Sequence, residues 1–461
     1  MAFPLVLSTG SWSIQHFVDR MFLAWYSPEA IAAAMPSGIL NFTIMSFFIG
    51  TASYVNTFVA QYYGAHRFDR IGPALWQGIY MSLIGGIFIL FLIPLARPIF
   101  AFVGHDPVVR ENEVVYFQYL CLGGAPVIAS AALAGFFSGR GKTWPIMWVD
   151  VLSTAVTIVL DYVLIFGKWG FAEMGMKGAA IATVISGFFS FFAYVVLIAR
   201  PSYESTYHIF SGWRPERDLF MRLLKFGVPA GLQFFLDMAG FTAFVLILGR
   251  LGTVSLAATN IAFNINTLAF MPMIGFGIAV SVLVGQYLGK NRPDLAVRSA
   301  YSGFGMTFIY MCTIAILFVL VPNIFVAPFA LHAHAGSYAE IERLCIMLLR
   351  FVAFYSVFDT MNVIFASAIK GAGDTRFVMY MIVLVSAFVL VIPTYVAIMV
   401  LGYGLMAAWS LATVYVILLG FVFLGRFLQG KWKSMRVIEE PFPIRAIPTV
   451  CFECPDAKFK P

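Results

Sequence analysis

Asp19, Asp161, Asp237 and Asp359 each stand inside an apolar run long enough to cross a bilayer. A carboxylate at that depth costs several kcal/mol unless it is paired, hydrated or protonated, so each is a functional hypothesis by default. Helical rise puts Asp19 and Asp161 both about 24 Å from the inner surface, and Asp237 and Asp359 both roughly 17 Å from it. Two acids per half, matched in depth within each half, do not look like randomly tolerated charges. The plain alternative is a salt bridge to a buried base. Arg20 adjoins Asp19, but successive helical residues do not face each other, and Arg20 is expected near the outer interface. The helices of Asp237 and Asp359 offer no nearby base.

An acid in an apolar cavity exchanges protons, or coordinates a hard cation if further oxygens are close. Thr157 lies one turn before Asp161 on the same side, and Thr183 lies in the next helix. Asp19, Thr157, Asp161 and Thr183 therefore form a candidate oxygen cage for Na⁺. Asp237 and Asp359 form a second candidate cation site, with Tyr355, four residues before Asp359, as a hydrogen-bond donor. Either site is also able to hold an organic cation directly. Phe234, Phe235, Phe263, Met271, Met273, Phe354 and Phe358 suit flat, apolar cations, with ordinary packing as the alternative for each. His16, one turn before Asp19, is read as packing rather than as a proton relay.

Membrane-spanning helices must position these groups. The 461 residues are 61% hydrophobic and 11% charged, against roughly 45–50% and about 25% in ordinary soluble proteins. Apolar runs of the roughly 20 residues that cross a bilayer recur along nearly the whole length; a membrane β-barrel would show shorter alternating segments. The fold class is thus an all-α polytopic membrane protein. Twelve helices are expected at about 3–26, 36–63, 72–96, 113–138, 145–167, 175–199, 220–250, 257–289, 297–322, 341–369, 377–400 and 404–426. The polar stretch 201–219, with Pro201 and Pro215, divides an N-terminal six-helix lobe (1–200) from a C-terminal one (220–428). A Pro-rich tail (429–461) is expected to lie loose on the inner face.

The halves repeat. TASYVNTFVAQYYGAHRFDR (51–70) aligns at an offset of about 225 with FGIAVSVLVGQYLGKNRPDL (276–295), setting Gln61 on Gln286, Gly64 on Gly289, Asp69 on Asp294 and Asn41 on Asn266. Further on the offset grows to about 232, and GRGKT (139–143) falls on GAGDT (371–375). Six helices precede each corresponding point, so the halves share one orientation. Parallel repeats imply a pseudo-two-fold axis along the membrane normal with the site between the halves. The acids do not follow the repeat: Asp237 falls on Trp12 and Asp19 on Phe244, so the lobes share a fold but have separate chemistry.

The net charge of +7 does not indicate nucleic acid, because topology places the bases. With the N-terminus inside, Arg67, Arg70, Arg140, Lys142, Arg222, Lys290, Lys370, Arg436 and their neighbours fall on inner connections. The outer ones carry only Arg97, Arg110, Lys168, Arg250 and Arg343. This positive-inside asymmetry puts both termini in the cytoplasm, and the first span is expected to act as its own targeting signal. Of the five cysteines, only Cys451 and Cys454 have ligand-like spacing, and a lone CxxC does not fill a four-ligand zinc site. No HExxH or GxSxG grouping lies at membrane depth, which argues against an enzyme. GRGKT is too short for a GxxxxGK[ST] phosphate loop.

The chain resembles the multidrug and toxic compound extrusion (MATE) family over about residues 3–430. The most specific segments are GVPAGLQFFLD (227–237), LGTVSLAATNIAFNI (251–265), GIAVSVLVGQYLG (277–289), YSVFD (355–359) and KGAGDT (370–375), with Pro4 fifteen residues before Asp19 and GMKGAAIAT (175–183) in the first half. The resemblance implies two six-helix lobes around a V-shaped cavity, alternating access, and export of cationic compounds driven by inward Na⁺ or H⁺. The NorM-like branch carries functional acids matching Asp237 (where Glu is usual) and Asp359, with Tyr355. The DinF-like branch carries a first-lobe cluster matching Asp19, Asp161 and Thr183; Thr157 stands where Asn is usual.

The sequence thus reads as a monomeric, cofactor-free secondary antiporter of the inner (plasma) membrane. It would export small hydrophobic organic cations in exchange for H⁺ or Na⁺ within the lipid bilayer. The rival reading is a lipid-linked oligosaccharide or other lipid flippase of the same superfamily, whose cavity is usually cationic.

Overall fold

The computed structural model describes residues 1–103, 106–330 and 338–439. Among them there is no strand; long apolar helices account for nearly all the chain. We label the spans α1 (Ala2–Tyr26), α2 (Pro28–Ser53 continued by Val55–Gly64), α3 (Ile71–Leu90), α4 (Pro107–Leu122 and Gly124–Gly139), α5 (Trp144–Phe166) and α6 (Met176–Ile198) in the first lobe. The second lobe has α7 (Arg217–Leu248), α8 (Thr253–Gly289), α9 (Pro293–Leu320), α10 (Tyr338–Ala372), α11 (Thr375–Val400) and α12 (Leu405–Gln429). Among the described residues ten helical stretches are long and apolar enough to cross a membrane, and α4, bent by 46° at Gly123, makes an eleventh. The 25-residue α1 has the length of a span but more polar content. Each expected span thus meets one observed helix.

Local chemistry sets the boundaries. Ser27 caps α2 by accepting the Ala30 N–H, with Pro28 in the first turn, where its missing N–H costs nothing. Gly167 ends α5 at φ +61°, a left-handed conformation that favours glycine. Phe91, Val196, Leu246 and Leu320 are among the many exposed large apolar side chains, the surface expected of a protein solvated by lipid.

The lobes meet on α1, α2, α7 and α8, and the repeat is visible in the contacts. On α2, the Gln61 side chain donates from Nε2 to the carbonyl of Gly371 in the other lobe (3.1 Å). Its repeat partner on α8, Gln286, donates from Nε2 to the carbonyl of Gly139 (2.7 Å). A Cβ on Gly64 would lie 2.0 Å from the Gln286 carbonyl oxygen, and one on Gly289 would lie 2.2 Å from that of Gln61. The same reciprocity recurs deeper. Gly50 presses on Ala230 and Gly231 of α7, and Gly275 presses on Leu5 and Val6 of α1. Only glycine permits this approach of backbones. The end of the molecule that carries Arg67, Arg70, Lys290 and Arg292 is therefore sealed by two interlocking helix pairs; we call it the basic end. Toward the opposite end the lobes still touch where Phe42 meets Phe234, edge on at 5.9 Å.

The chain beyond α12 differs from the expectation of a loose tail. Trp432 is fully buried, stacks on Phe427 and donates to its carbonyl (2.8 Å). Val437, also fully buried, donates its N–H to Oε1 of Gln61 (2.9 Å) and accepts from Arg222 at its carbonyl. Glu439 then accepts from the Tyr62 hydroxyl (2.5 Å) and from Arg70 (3.1 Å), which also holds Glu216 (2.8 Å). Residues 430–439 thus strap the second lobe to α2 of the first. Apolar side chains decide this: Val437 and Ile438 join a core of Tyr54, Phe58, Leu219 and Leu223. Residues 440–461, with Cys451 and Cys454, lie outside the described residues.

Burial opposes ionisation of Glu439, but the Tyr62 hydroxyl, a backbone N–H and the Arg67 and Arg70 guanidinium groups outweigh it and hold the carboxyl below its ordinary value of 4.5. A depressed folded-state value contributes stability that is present above the unfolded value and lost as pH falls through the folded one. Glu439→Gln is therefore expected to melt at a lower temperature than wild type near pH 7, with the gap closing below about pH 4.5. Thermal melts of detergent-purified protein across pH check this; a gap independent of pH would show that the carboxylate does not hold the strap.

Candidate functional site

In the first lobe, α1 brings Asp19 and α5 brings Asp161 close enough for each to feel the other's charge, with Tyr116 of α4 in the same field. Asp161 is fully buried, and among the described residues neither of its carboxylate oxygens has a hydrogen-bond partner; Oδ1 of Asp19 is likewise buried and unmet. Acceptors left bare in this way call for a proton or a cation. Arg20 does not pair with Asp19. It reaches across the lobes to Oδ1 of Asn264 on α8 (3.4 Å), instead of only snorkelling to the interface. His16 is exposed on α1.

The two threonines of the expected cage are already engaged as donors. Thr183 donates to the Ala179 carbonyl (3.1 Å), and Thr157 donates to the Ser153 carbonyl (2.9 Å) and lies 2.6 Å from the Ser186 hydroxyl. Their lone pairs, not their protons, are what remain for a cation.

Thr157 belongs to a larger array. Ser153 and Ser186 share a hydrogen bond (2.7 Å), Ser190 donates to Ser153 (2.8 Å), and Tyr194 reaches Asp150 (3.4 Å), which Ser8 of α1 also bonds. Along the antiparallel α5 and α6, Thr157, Ser153 and Asp150 meet Ser186, Ser190 and Tyr194 in turn, one turn below Asp161. This polar ladder descends from the acid pair toward the basic end. Its signal was in the sequence as polar residues at helical spacing on two consecutive spans, but Asp150 lies so near the start of α5 that it reads as interfacial. Glu113, fully buried in α4, is concealed in the same way.

In the second lobe, Asp237 of α7 and Asp359 of α10 also lie within electrostatic reach of each other, and Tyr415 of α12 feels both. Asp237 accepts from Gln233 (3.3 Å). Asp359 accepts from Asn362 (2.9 Å), whereas Tyr355, buried and within reach of its charge, makes no such bond. The expectation that no base stands near these acids fails. Lys370, half-buried in the last turn of α10, acts on Asp237. Spacing along α10 concealed it, because Lys370 lies three turns from Asp359 and only the packing of α7 brings Asp237 within range.

The remaining candidates have plainer settings. Pro4 is buried in the first turn of α1, where it breaks no hydrogen bond. Asn41 is buried and donates to Sγ of Cys121 (3.6 Å), and Asn266 is half-buried on α8. Phe263 stacks on Trp409 at 4.9 Å, Met273 is fully buried, and both serve packing. Among the described residues no cluster of three or more His, Cys, Asp or Glu side chains could hold a metal ion.

The polar core of the first lobe is testable by subtraction. Ser186→Val removes one hydrogen bond from each of Thr157 and Ser153, which keep the Ser153 carbonyl and Ser190 as partners. At about 0.5–1.5 kcal/mol for each lost hydrogen bond, the variant is expected to melt a few degrees below wild type, while Ser410→Ala on exposed surface leaves the melting temperature unchanged. Equal melting temperatures would mean the ladder carries no load.

Comparisons with known proteins fit this architecture. The profile of the MatE family matches residues 4–163 and 229–397. A probable multidrug resistance protein NorM of Brucella suis is 26% identical over 379 residues, covering 82% of this chain and 80% of the relative. One from Thermotoga maritima is 25% identical over 425 residues, covering 91% and 89%. Among solved structures, an outward-facing multidrug resistance MATE transporter of the MOP superfamily superposes with a TM-score of 0.85 at 19% identity, covering 95% of this chain and 96% of the other. A MOP superfamily transporter from Pyrococcus furiosus, described as having a binding pocket of reverse polarity, gives 0.85 at 18% identity, covering 94% and 96%. The two matched segments take in most of both lobes and every candidate acid, and the chain belongs to the MatE family of polytopic membrane transporters.

Proposed function

We propose that the protein is a cation-coupled multidrug antiporter that exports hydrophobic organic cations by alternating access between its lobes. The observation that carries this reading is the pair of carboxylates within electrostatic reach of each other in each lobe, one member of each pair (Asp161, Asp359) buried and Asp161 left bare. The NorM relatives support the multidrug part. The basic end is the cytoplasmic one under the positive-inside rule, which sets both termini inside, in the plasma (inner) membrane. Residues 1–200 and 220–428 act as two rocking bodies joined by the 201–219 linker, in a protein working as a monomer.

The coupling follows from electrostatics. A cationic drug gains from an ionised Asp237 or Asp359 in an apolar wall. An incoming H⁺ or Na⁺ neutralises the same carboxylates and removes that attraction, so the two ligands compete. Lys370 adds a tethered positive charge beside Asp237 that lowers the gain from any second cation there, and so favours release. In the first lobe, Asp19 and Asp161 offer bare oxygens to H⁺ or Na⁺, with the lone pairs of Thr157 and Thr183 nearby. At about −100 mV one inward charge supplies roughly 2.3 kcal/mol, about a fortyfold concentration ratio before any ion gradient is added. No hydrolysis and no cofactor enters this scheme.

The flippase reading keeps one supporting observation: Arg20 and Lys370 stand beside the acids, and a cavity dominated by such bases would suit phosphate cargo. Reconstituted vesicles separate the two. Ethidium efflux is expected under an imposed Na⁺ or pH gradient, falling by at least about tenfold in Asp237→Asn and Asp359→Asn, the loss of one charge-assisted contact. Efflux under the Na⁺ gradient alone identifies a cation cage, and under the pH gradient alone a proton carrier. Wild-type rates in both variants, or no efflux under either gradient, would overturn the antiport reading.

A further inference from the structure

The first-lobe loop Gly139–Thr143 and the second-lobe loop Gly371–Thr375 correspond under the repeat, and they make the same turn. Gly141 has φ +78° and Gly373 has φ +113°. Their charges differ. In the second lobe Asp374 is met by Arg426, Nη2 to Oδ2 at 2.7 Å, so the loop is neutral. In the first lobe the position of Asp374 is Lys142, and Arg140 is added two residues before it. Neither of these bases has a carboxylate partner among the described residues.

Arg140 is only 6% exposed. Nε donates to the Phe136 carbonyl (3.0 Å), while Nη2 is buried with no hydrogen-bond partner. The rings of Phe136, Tyr203 and Tyr207 hold the guanidinium, with centroids at 3.7, 4.6 and 4.9 Å. This packing fixes the arginine without neutralising it. A cavity of about 470 Å³ opens here, lined by Arg140, Lys142, Thr143, Trp144, Tyr203 and Tyr207 among others, with no acidic side chain in its wall. At its rim Trp144 and Phe3 are exposed and in ring contact at 6.4 Å, the aromatic edge typical of a membrane interface.

We infer that this cavity is a binding site for a phosphate oxyanion, with Arg140 as its inner wall and Lys142 at its mouth. The neutral counterpart loop shows what the first lobe lacks, which is negative charge against its two bases, and a phosphate group supplies it. The charge comes from the headgroup of an acidic phospholipid, with the acyl chains along Trp144 and Phe3, or from a free phosphate. Because Tyr203 and Tyr207 belong to the helix Pro201–Tyr207 between the lobes, the bound anion ties that connection to α5.

The test uses the full chain in a neutral detergent. Melting temperature is followed while dioleoyl phosphatidic acid, dioleoyl phosphatidylcholine or inorganic phosphate is titrated, with native mass spectrometry counting retained lipid. The acidic lipid is expected to raise the melting temperature and to be retained, and phosphatidylcholine to do neither. Protection by inorganic phosphate alone supports the same site with a free ion as its occupant. Arg140→Gln and Lys142→Glu are each expected to weaken the protecting ligand by about tenfold. Lys142 is exposed, so its variant keeps the test alive if Arg140→Gln does not fold. Equal protection by phosphatidylcholine, protection by none of the three additives, or full protection of the Lys142→Glu variant would overturn the inference.

Discussion

Everything in this molecule depends on how closely two pairs of helices approach at the basic end. Gln61 and Gln286 each give a side-chain hydrogen bond to a glycine carbonyl of the opposite lobe, and each lies against the other lobe's glycine. The contacts are steric as much as polar: a single methyl group at Gly64 or Gly289 would drive the backbones apart. A seal made of backbone against backbone has few intermediate settings. It holds or it opens, which is the property a two-state transporter needs.

Reciprocity in the seal contrasts with asymmetry in the sites. The repeat carries Gln61 onto Gln286 and Gly50 onto Gly275, yet it does not carry either acid pair onto the other. Among the described residues Asp161 has no hydrogen-bond partner, whereas Asp237 and Asp359 each accept a side-chain amide and Lys370 acts on Asp237. The scaffold therefore had to remain symmetric to close, while each lobe was free to acquire its own chemistry. The same divergence appears in the repeat-related loops, where Asp374 pairs with Arg426 but Lys142 and Arg140 have no acidic partner among the described residues. The strap formed by residues 430–439 adds a second asymmetry, since it joins the end of the second lobe to α2 of the first and has no counterpart leaving the first lobe.

Much of this was legible in the sequence because bilayer physics leaves few options. Apolar length gave the spans, polar residues matched at a constant offset gave the repeat, and isolated acids at membrane depth marked both clusters. What escaped depended on packing between helices distant in sequence. Lys370 reads as a loop base until α7 brings Asp237 within its field. Tyr355 has the right spacing to serve Asp359, but Asn362, three residues on, takes the acceptor. The residues after Gln429 look like a loose tail by composition, and only the core of Tyr54, Phe58 and Leu219 shows why Val437 and Ile438 are held. The polar ladder was half visible: Thr157 and Thr183 stood out beside Asp161, while Ser153, Ser186 and Ser190 passed as ordinary small residues.

The central claim is that the glycine-backed seal opens and closes as one unit under control of the paired acids. Its most direct test is the distance between spin labels at the exposed, repeat-related Asp69 and Asp294, in a cysteine-free chain reconstituted in lipid. The account predicts one short distance for the sealed form. A second, longer population should grow on changing pH or Na⁺ and be abolished by combined Asp237→Asn and Asp359→Asn. A single unchanged distance under every condition in which the same preparation transports would contradict it.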